Sequence, residues 1–413
     1  DLQAERALAK AAAFNPENCD VLMAQRDLAR ERNQVAREDA LSEALVACPG
    51  TLGLRANLAQ RRDRQAEALS LYTKSLERTP DELSSMVLLA DVAIAAGNWA
   101  DAIAWNEKML VLAPYRAVSR ITLADLYARA NQPERAREQI GIALAQLPEN
   151  PRLHEIAEHL GIPDELMQWR IAGTDAVVSY REALANAEVP EGVSEVMLLD
   201  RQVSMLYPTG GHRHIVHQMF HVLSDQAIDA HGEFNQPGVR LLTLHSIKPD
   251  GRVIEPEVVS GKEGVILRDL EIGDIVEVEF SYAQSPDPAL PGFFDLGRFR
   301  FQSPDIPFHR SELLVLMPAA MESKVTVERR NAAPVAQRRA VELREGKFTE
   351  LTFRAERVPR LGTEPYSRSM LDELPMVQVH STLDVREWLD GLAGQIRPAQ
   401  RSNPELRAKA IEL

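Results

Sequence analysis

The 413-residue sequence predicts an α + β multidomain chain: an N-terminal all-α solenoid, then an antiparallel β-sandwich, then a short helical segment. Three observations carry this. Pro80, Pro114 and Pro148 recur every 34 residues, a helical-hairpin period. Apolar periodicity switches to alternation from Glu195 onward, with turn residues between the alternating runs. A helical pattern returns after Asp384.

The repeat positions explain themselves physically. Ala68, Ala102 and Ala136 each stand twelve residues before one of these prolines, where a larger side chain would push two packed helices apart. Ala90 and Ala124 fill a second close-approach position, and Leu89, Leu123 and Tyr127 supply an apolar stripe at helical spacing. Gly97 and Asn131, again 34 apart, mark the turn between helices with residues that tolerate a left-handed helix end. Upstream, Pro49 precedes Pro80 by 31 residues and Pro16 precedes Pro49 by 33, predicting two further units, one shortened around Arg61 to Arg64. These positions resemble the tetratricopeptide (TPR) repeat, and the resemblance implies a TPR-like solenoid over residues 1–160.

The length fits two to three domains, each able to bury its own core. A formal net charge of −14 with no basic stripe excludes nucleic acid and anionic membrane surfaces as expected partners. No stretch approaches the roughly 20 consecutive apolar residues of a membrane span. The chain opens at Asp1 inside a helical pattern, so any signal peptide or lipid anchor is expected upstream. The only cysteines are Cys19 and Cys48, at the start of one helix and the end of its antiparallel partner, and the absence of a Cys-x-x-Cys pair excludes a thiolate zinc site. A disulfide between them requires Cα atoms within about 7 Å and implies an oxidising compartment. Two buried thiols are the alternative.

Helical periodicity runs to Leu160, breaks at Gly161-Ile162-Pro163 and resumes from Asp164 to about Asn186, so residues 161–194 read as a helical connector. Strands follow at Glu195 to Leu206 and His214 to Leu223, separated by the turn Pro208 to Gly211. Leu241 to Ile247 closes at Lys248-Pro249-Asp250-Gly251, where proline presets φ and Asp and Gly accept turn geometry. Within Ile275 to Ala283, Val276, Val278, Phe280 and Tyr282 alternate with Glu277, Glu279 and Ser281, which predicts one buried face and one wet face carrying the glutamates. After Pro286, Pro288 and Pro291, further strands are predicted at Phe299 to Gln302, Ser311 to Met317, Lys324 to Arg329, Ala340 to Leu343 and Phe348 to Glu356. Many short strands with turns between them argue an antiparallel sandwich.

The run from Ser246 to Pro256, the run from Leu270 to Phe280, and then Phe301-Gln302, Pro307, Ser311, Pro318, Glu364-Pro365 and Leu374-Pro375 resemble a bacterial β-sandwich domain of unknown function that precedes transglutaminase-like cores. The resemblance covers residues 195–383. It makes Lys248, Pro249, Asp250, Gly251, Gly273 and Asp274 a family-signature pair of turns, and it implies TPR companions and a place in the cell envelope or periplasm. Residues 384–392 read as an amphipathic helix, and Asn403-Pro404-Glu405 offers a cap, a first-turn proline and an acid. In the resembled family such segments open the core, so residues 384–413 are expected to begin a truncated one, with its Cys, His and Asp farther on. No cysteine follows Cys48, so the nucleophile of that chemistry is not in these residues.

Two constellations remain. His212, His214, His217 and His221 offer imidazoles for a metal, although strand alternation points the first two away from the last two. A solvated or cross-strand-paired role is the alternative. Asp91 and Asp125 are 34 apart, beside Val87 and Ile121, and in the resembled fold they face the concave groove. That groove lacks the amide and basic side chains that hold a peptide carboxylate, so a basic or apolar segment fits better: another protein, or the chain's own sandwich. No phosphate loop, nucleophile elbow or cofactor motif occurs. The leading reading is a non-catalytic interaction segment that also supports an adjacent transglutaminase-like core. The alternatives are the substrate-positioning part of a thiol enzyme and a histidine metal module.

Overall fold

In the computed structural model the described residues are 2–48, 52–62, 64–184, 192–259, 264–287, 290, 292–344, 346–362 and 369–382, with 386, 389 and 393. They form two compact units, Asp1–Leu147 with His159–Ile162, and Pro148–Glu158 with Pro163–Leu413. The predicted helix over 384–392 lies outside the described residues except for Arg386 and Leu389, which are helical. The cap at Asn403-Pro404-Glu405, the motif pair Glu364-Pro365, and Pro49, Pro288 and Pro291 lie outside them.

The first unit contains α1 (Leu2–Phe14), α2 (Cys19–Glu31), α3 (Val35–Ala44), α4 (Leu52–Arg61), α5 (Gln65–Arg78), α6 (Leu83–Ala95), α7 (Trp99–Leu112), α8 (Ala117–Arg129) and α9 (Pro133–Gln146). Helices pair as α2 with α3, α4 with α5, α6 with α7 and α8 with α9, while contacts of α5 with α6 and α7 with α8 stack one hairpin on the next. Three of these hairpins, α2–α3, α6–α7 and α8–α9, turn through a left-handed residue: Asn33, Gly97 and Asn131 have φ of 54°, 70° and 59°. Asn18 and Asn98 cap α2 and α7 by accepting backbone N–H groups, and Pro133 begins α9 where no N–H is needed. Ala68, Ala102 and Ala136 are each 0% exposed, so no room exists beyond a methyl group at the helix crossings. Ala56 is buried in phase with Ala90 and Ala124, which extends the 34-residue period one unit upstream. Cys19 and Cys48 are disulfide-bonded, with a Cα separation of 5.8 Å.

The second unit is built on strands. These are β1 (Glu195–Leu206), β2 (His212–Val222), β3 (Glu233–Phe234), β4 (Arg240–Ile247), β5 (Val253–Ile254), β6 (Glu257–Val258), β7 (Val265–Ile266), β8 (Ile275–Gln284), β9 (Asp295–Arg300), β10 (Phe308–Pro318), β11 (Val325–Arg330), β12 (Gln337–Leu343), β13 (Gly346–Val358) and β14 (Met376–Ser381). The main sheet has eight strands in the order β12-β13-β10-β1-β2-β8-β4-β5, with two three-stranded sheets, β11-β14-β9 and β3-β7-β6. The expected all-antiparallel pairing fails at one ladder, because β1 and β10 run parallel with Val203 opposite Leu314. Turn signals report only hairpins, and this ladder joins strands a hundred residues apart. The short strands β3, β5, β6 and β7, the strand β14, and α12 (Asp225–His231), whose cap is the Ser224 hydroxyl, were not predicted.

Both faces of the main sheet are covered. On one, Leu313, Val315 and Phe353 pack against Val377 and Val379 of the β11-β14-β9 sheet, and Phe220, Val276 and Phe280 pack beside Ala227, Ile228 and Phe234. On the other, Leu166 packs against Val203, Ile215 and Leu316, while Ala176, Val177 and Tyr180 of α11 (Thr174–Leu184) pack against Leu199, Met219 and Ile275. The wet face predicted for β8 is therefore wrong: Glu277 and Glu279 are only 8% and 1% exposed, under the connector. The connector is also not one helix. After α10 (Pro151–His159), it forms a 3₁₀ turn over Glu165–Trp169 and then α11, because it lies flat on the sheet between them. A Cβ on Gly173 would sit 2.6 Å from the Glu277 carboxylate, a closeness only glycine permits.

Ala102→Trp or Ala136→Trp should overpack the helix crossings and cost about 1 to 3 kcal/mol or more. Thermal unfolding followed by circular dichroism checks this; an unchanged helical melt would show the register to be misplaced.

Candidate functional site

The repeat unit presents its candidate surface on α6 and α8. Val87 and Ile121 are half-buried at equivalent positions, and Asp91 and Asp125 are exposed one turn farther on. The two aspartates differ in partners. The Asp125 carboxylate accepts from Arg129 Nε at 2.7 Å, and the Arg129 guanidinium also lies over the Trp99 ring. Asp91 has no hydrogen bond or ion pair with any described residue, and partial desolvation raises its pKa. The groove is thus less acidic than the sequence implied, with one of its two charges already neutralised.

The second unit carries a row of polar and charged side chains, most of them buried, that the sequence reading missed. Thr243, Glu279, His217, Arg201, Glu312 and Arg354 are direct register neighbours on β4, β8, β2, β1, β10 and β13, on the face under the connector. Glu312 accepts from Arg201 Nε at 2.9 Å, Arg310 Nη2 at 3.0 Å and Arg354 Nη2 at 2.6 Å. Burial alone would raise its pKa, yet the arginines outweigh burial and hold it down to about 2. Glu277 takes His217 Nε2 at 2.8 Å and His245 Nε2 at 3.0 Å, and these bonds likewise overcome burial to hold it at about 2. The connector adds one cation and one anion as anchors. Arg170 reaches Glu279 Oε2 at 2.5 Å, and Asp164 receives both terminal nitrogens of the buried Arg213 at 2.9 and 2.6 Å while also capping the 3₁₀ turn through Leu166 N–H. At its Glu279 end the row holds the connector on the sheet through Arg170, while Arg354 at its far end is exposed. The available signal was the interruption of apolar runs by Asp200-Arg201-Gln202 and by Ser311-Glu312.

The four histidines do not converge. His212 and His214 lie on one face of β2 with their rings 5.0 Å apart, whereas His217 and His221 lie on the other. His214 stacks on Tyr282 and bonds Ser204 Oγ at 2.8 Å, and burial, with His212 beside it, pushes its pKa down to about 3. His221 Nδ1 pairs with the Tyr180 hydroxyl at 2.9 Å. His212, His214 and His217 are buried and His221 is half-buried, His214 and His217 meet side chains of neighbouring strands, and among the described residues no three His, Cys, Asp or Glu side chains are grouped to hold a metal. The signature turns have a structural explanation. Lys248 Nζ, buried, donates to Asp274 Oδ2 at 2.8 Å and to the Asp269 carbonyl, tying the β4–β5 turn to the loop before β8. Asp274 also accepts Glu271 N–H at 2.8 Å. Gly251 and Gly273 have φ of 90° and 99°, and Pro249 packs against the second. Asp250 turns inward on the Arg252 backbone.

No curated protein sequence matches the chain. Among solved structures, a putative protease from Parabacteroides distasonis is 12% identical over 46% of this chain and 40% of its own, with a TM-score of 0.36. YrrB, a TPR protein with an unusual peptide-binding site, is 15% identical over 38% of this chain and 84% of its own, at 0.32. PilW, a type IV pilus biogenesis factor, is 19% identical over 46% and 87%, at 0.33. These likenesses are distant in sequence and partial in superposition. Residues 263–361 match a family model described as a domain of unknown function with a solved structure, DUF3857.

Two expectations follow from the buried charges. Asp164→Ala leaves Arg213 buried without its partner and should cost about 3 to 5 kcal/mol by urea unfolding. Asp200, buried on the opposite face between Gln218 and Ser311, has its pKa raised by burial to about 6. A raised folded value means that the stability it contributes is present below its unfolded pKa of about 3.9 and is lost as pH rises through about 6. Asp200→Asn should therefore stabilise the protein by about 1 to 3 kcal/mol at pH 8, with the gain vanishing near pH 4. Melts of both proteins across that range measure it, and a gain independent of pH would rule the account out.

Proposed function

We propose that this chain is a non-catalytic protein-interaction segment, whose TPR-like repeats hold a basic or basic-apolar segment of another protein. The observation that carries this is Asp91, a partly desolvated carboxylate without a counterion among the described residues, beside the half-buried Val87. A lysine or arginine from a ligand would do for Asp91 what Arg129 does for Asp125. Apolar side chains of the same segment would cover Val87 and Ile121.

The sheet unit, in this reading, supports a transglutaminase-like core, as its resemblance to domains that precede such cores implies. Any thiol acyl chemistry belongs to that core. Cys19 and Cys48 are consumed by their disulfide, so among the described residues no thiolate nucleophile is available. The disulfide also supports a place in the oxidising cell envelope or periplasm. No helix of the described residues is long and apolar enough to cross a membrane.

Binding of a fluorescent peptide of alternating lysine and leucine to the whole chain tests the groove. Affinity should fall steadily as salt rises toward about 1 M, where the Debye length is about 3 Å. Asp91→Lys with Asp125→Lys should weaken binding at least about tenfold, a loss of about 1.4 kcal/mol, while changing stability by under about 0.5 kcal/mol. Equal binding by wild type and double mutant would move the recruiting surface to the sheet unit.

A further inference from the structure

The far end of the β10–β13 ladder is irregular in a way its register does not require. The ladder pairs Phe308 with Val358 and Arg310 with Glu356, leaving His309 and Arg357 between them. Successive strand residues normally point to opposite faces. Here His309 and Arg310 from one strand, and Glu356 and Arg357 from the other, all line one cavity of about 360 Å³ against Ser179 of α11. Arg357 makes this geometry with a φ of 54°, a left-handed conformation that a non-glycine residue adopts only at a cost. His309 accordingly meets α11, with its ring 5.5 Å from Tyr180 and its Nε2 3.0 Å from Ser179 Oγ.

The cavity lining carries two guanidinium groups, Arg310 and Arg357, and the first belongs to a cluster with a surplus of positive charge. Arg201, Arg310 and Arg354 all bond the single carboxylate of Glu312, so two positive charges are left over in a chain of net −14. Two buried donors of that cluster, Arg310 Nε and Arg201 Nη1, have no hydrogen-bond partner among the described residues. Arg357, exposed on the cavity wall, makes no ion pair with a described residue. Glu182 and Glu356 also line the cavity and are exposed, as Arg357 is, so water and salt screen all three, whereas Arg310 is half-buried.

We propose that this cavity binds the oxyanion group of a small molecule, a carboxylate or a phosphate, with Arg310 and Arg357 supplying positive charge and Ser179 a hydroxyl donor. Planar guanidinium groups match such oxyanions through paired N–H donors. When His309 Nε2–H donates to Ser179 Oγ, the serine keeps its own proton for the ligand. Burial, its first cause, lowers the His309 pKa and favours the neutral ring that this arrangement uses. The volume suits a small ligand rather than a chain segment. The site is independent of the repeat groove.

Calorimetric titration of the whole chain with sodium phosphate and with sodium acetate, each against sodium chloride of equal ionic strength, tests the site. At least one oxyanion should give saturable heat beyond chloride. Preference for phosphate identifies a phosphorylated ligand, and preference for acetate a carboxylate. Arg357→Gly removes the guanidinium and suits the positive φ, so it should melt no lower than wild type and bind at least tenfold more weakly. Ser179→Ala, at an exposed helical position, should weaken binding severalfold. Heats no greater than chloride for both anions, or an Arg357→Gly protein that binds like wild type, would overturn the proposal.

Discussion

Glu312 lies between Arg201 and Arg354 on three adjacent strands, and the second unit's architecture depends on keeping those charges together. Stripping a carboxylate or guanidinium of water costs several kcal/mol per ion, recovered only by well-placed partners. A shift of one residue along any ladder would send each charge to the opposite face, away from its partners, and strand its neighbours. The row therefore specifies pairing where apolar contacts alone discriminate poorly. It bears most heavily on the parallel β1–β10 ladder, which no hairpin fixes and in which Arg201 sits opposite Glu312.

The same constraint shapes the connector. Glu279 and Arg213 lie on the covered face, and each needs an opposite charge from above: Arg170 and Asp164 supply them. A continuous helix could not bring these two side chains down while letting Gly173 approach Glu277. The break between the 3₁₀ turn and α11 is the conformational consequence. Apolar contacts from Leu166 on one side and Tyr180 on the other then exclude water, which strengthens the ion pairs between them.

The repeat unit works on the opposite principle. Its contacts are mostly local, between helices adjacent in sequence, and its specificity comes from small residues at crossings and left-handed residues at turns. Such a unit leaves its surface positions free to vary without loss of fold. Asp91 and Asp125 show this: they share a repeat position, yet only one has acquired a neighbouring cation.

That contrast separates what was legible in the sequence from what was not. The helical hairpins could be read because a 34-residue period repeats the same local packing problem, and Gly97, Asn131, Ala102 and Ala136 each solve it within a few residues of chain. The longer strands and the signature turns could be read because alternation and turn chemistry are also local. The sequence by itself determined these elements and their type. Only the tertiary structure decided which faces are wet, that β1 runs beside β10, and that Glu277 and Glu279 serve buried partners. It also separated four clustered histidines into unrelated contacts, and it brought Ser179 within 3.0 Å of His309, 130 residues on. The physical reason is that a side chain's solvation and charge partners are set by whatever packs on it, here a connector and strands distant in sequence, and no period or spacing encodes that neighbour.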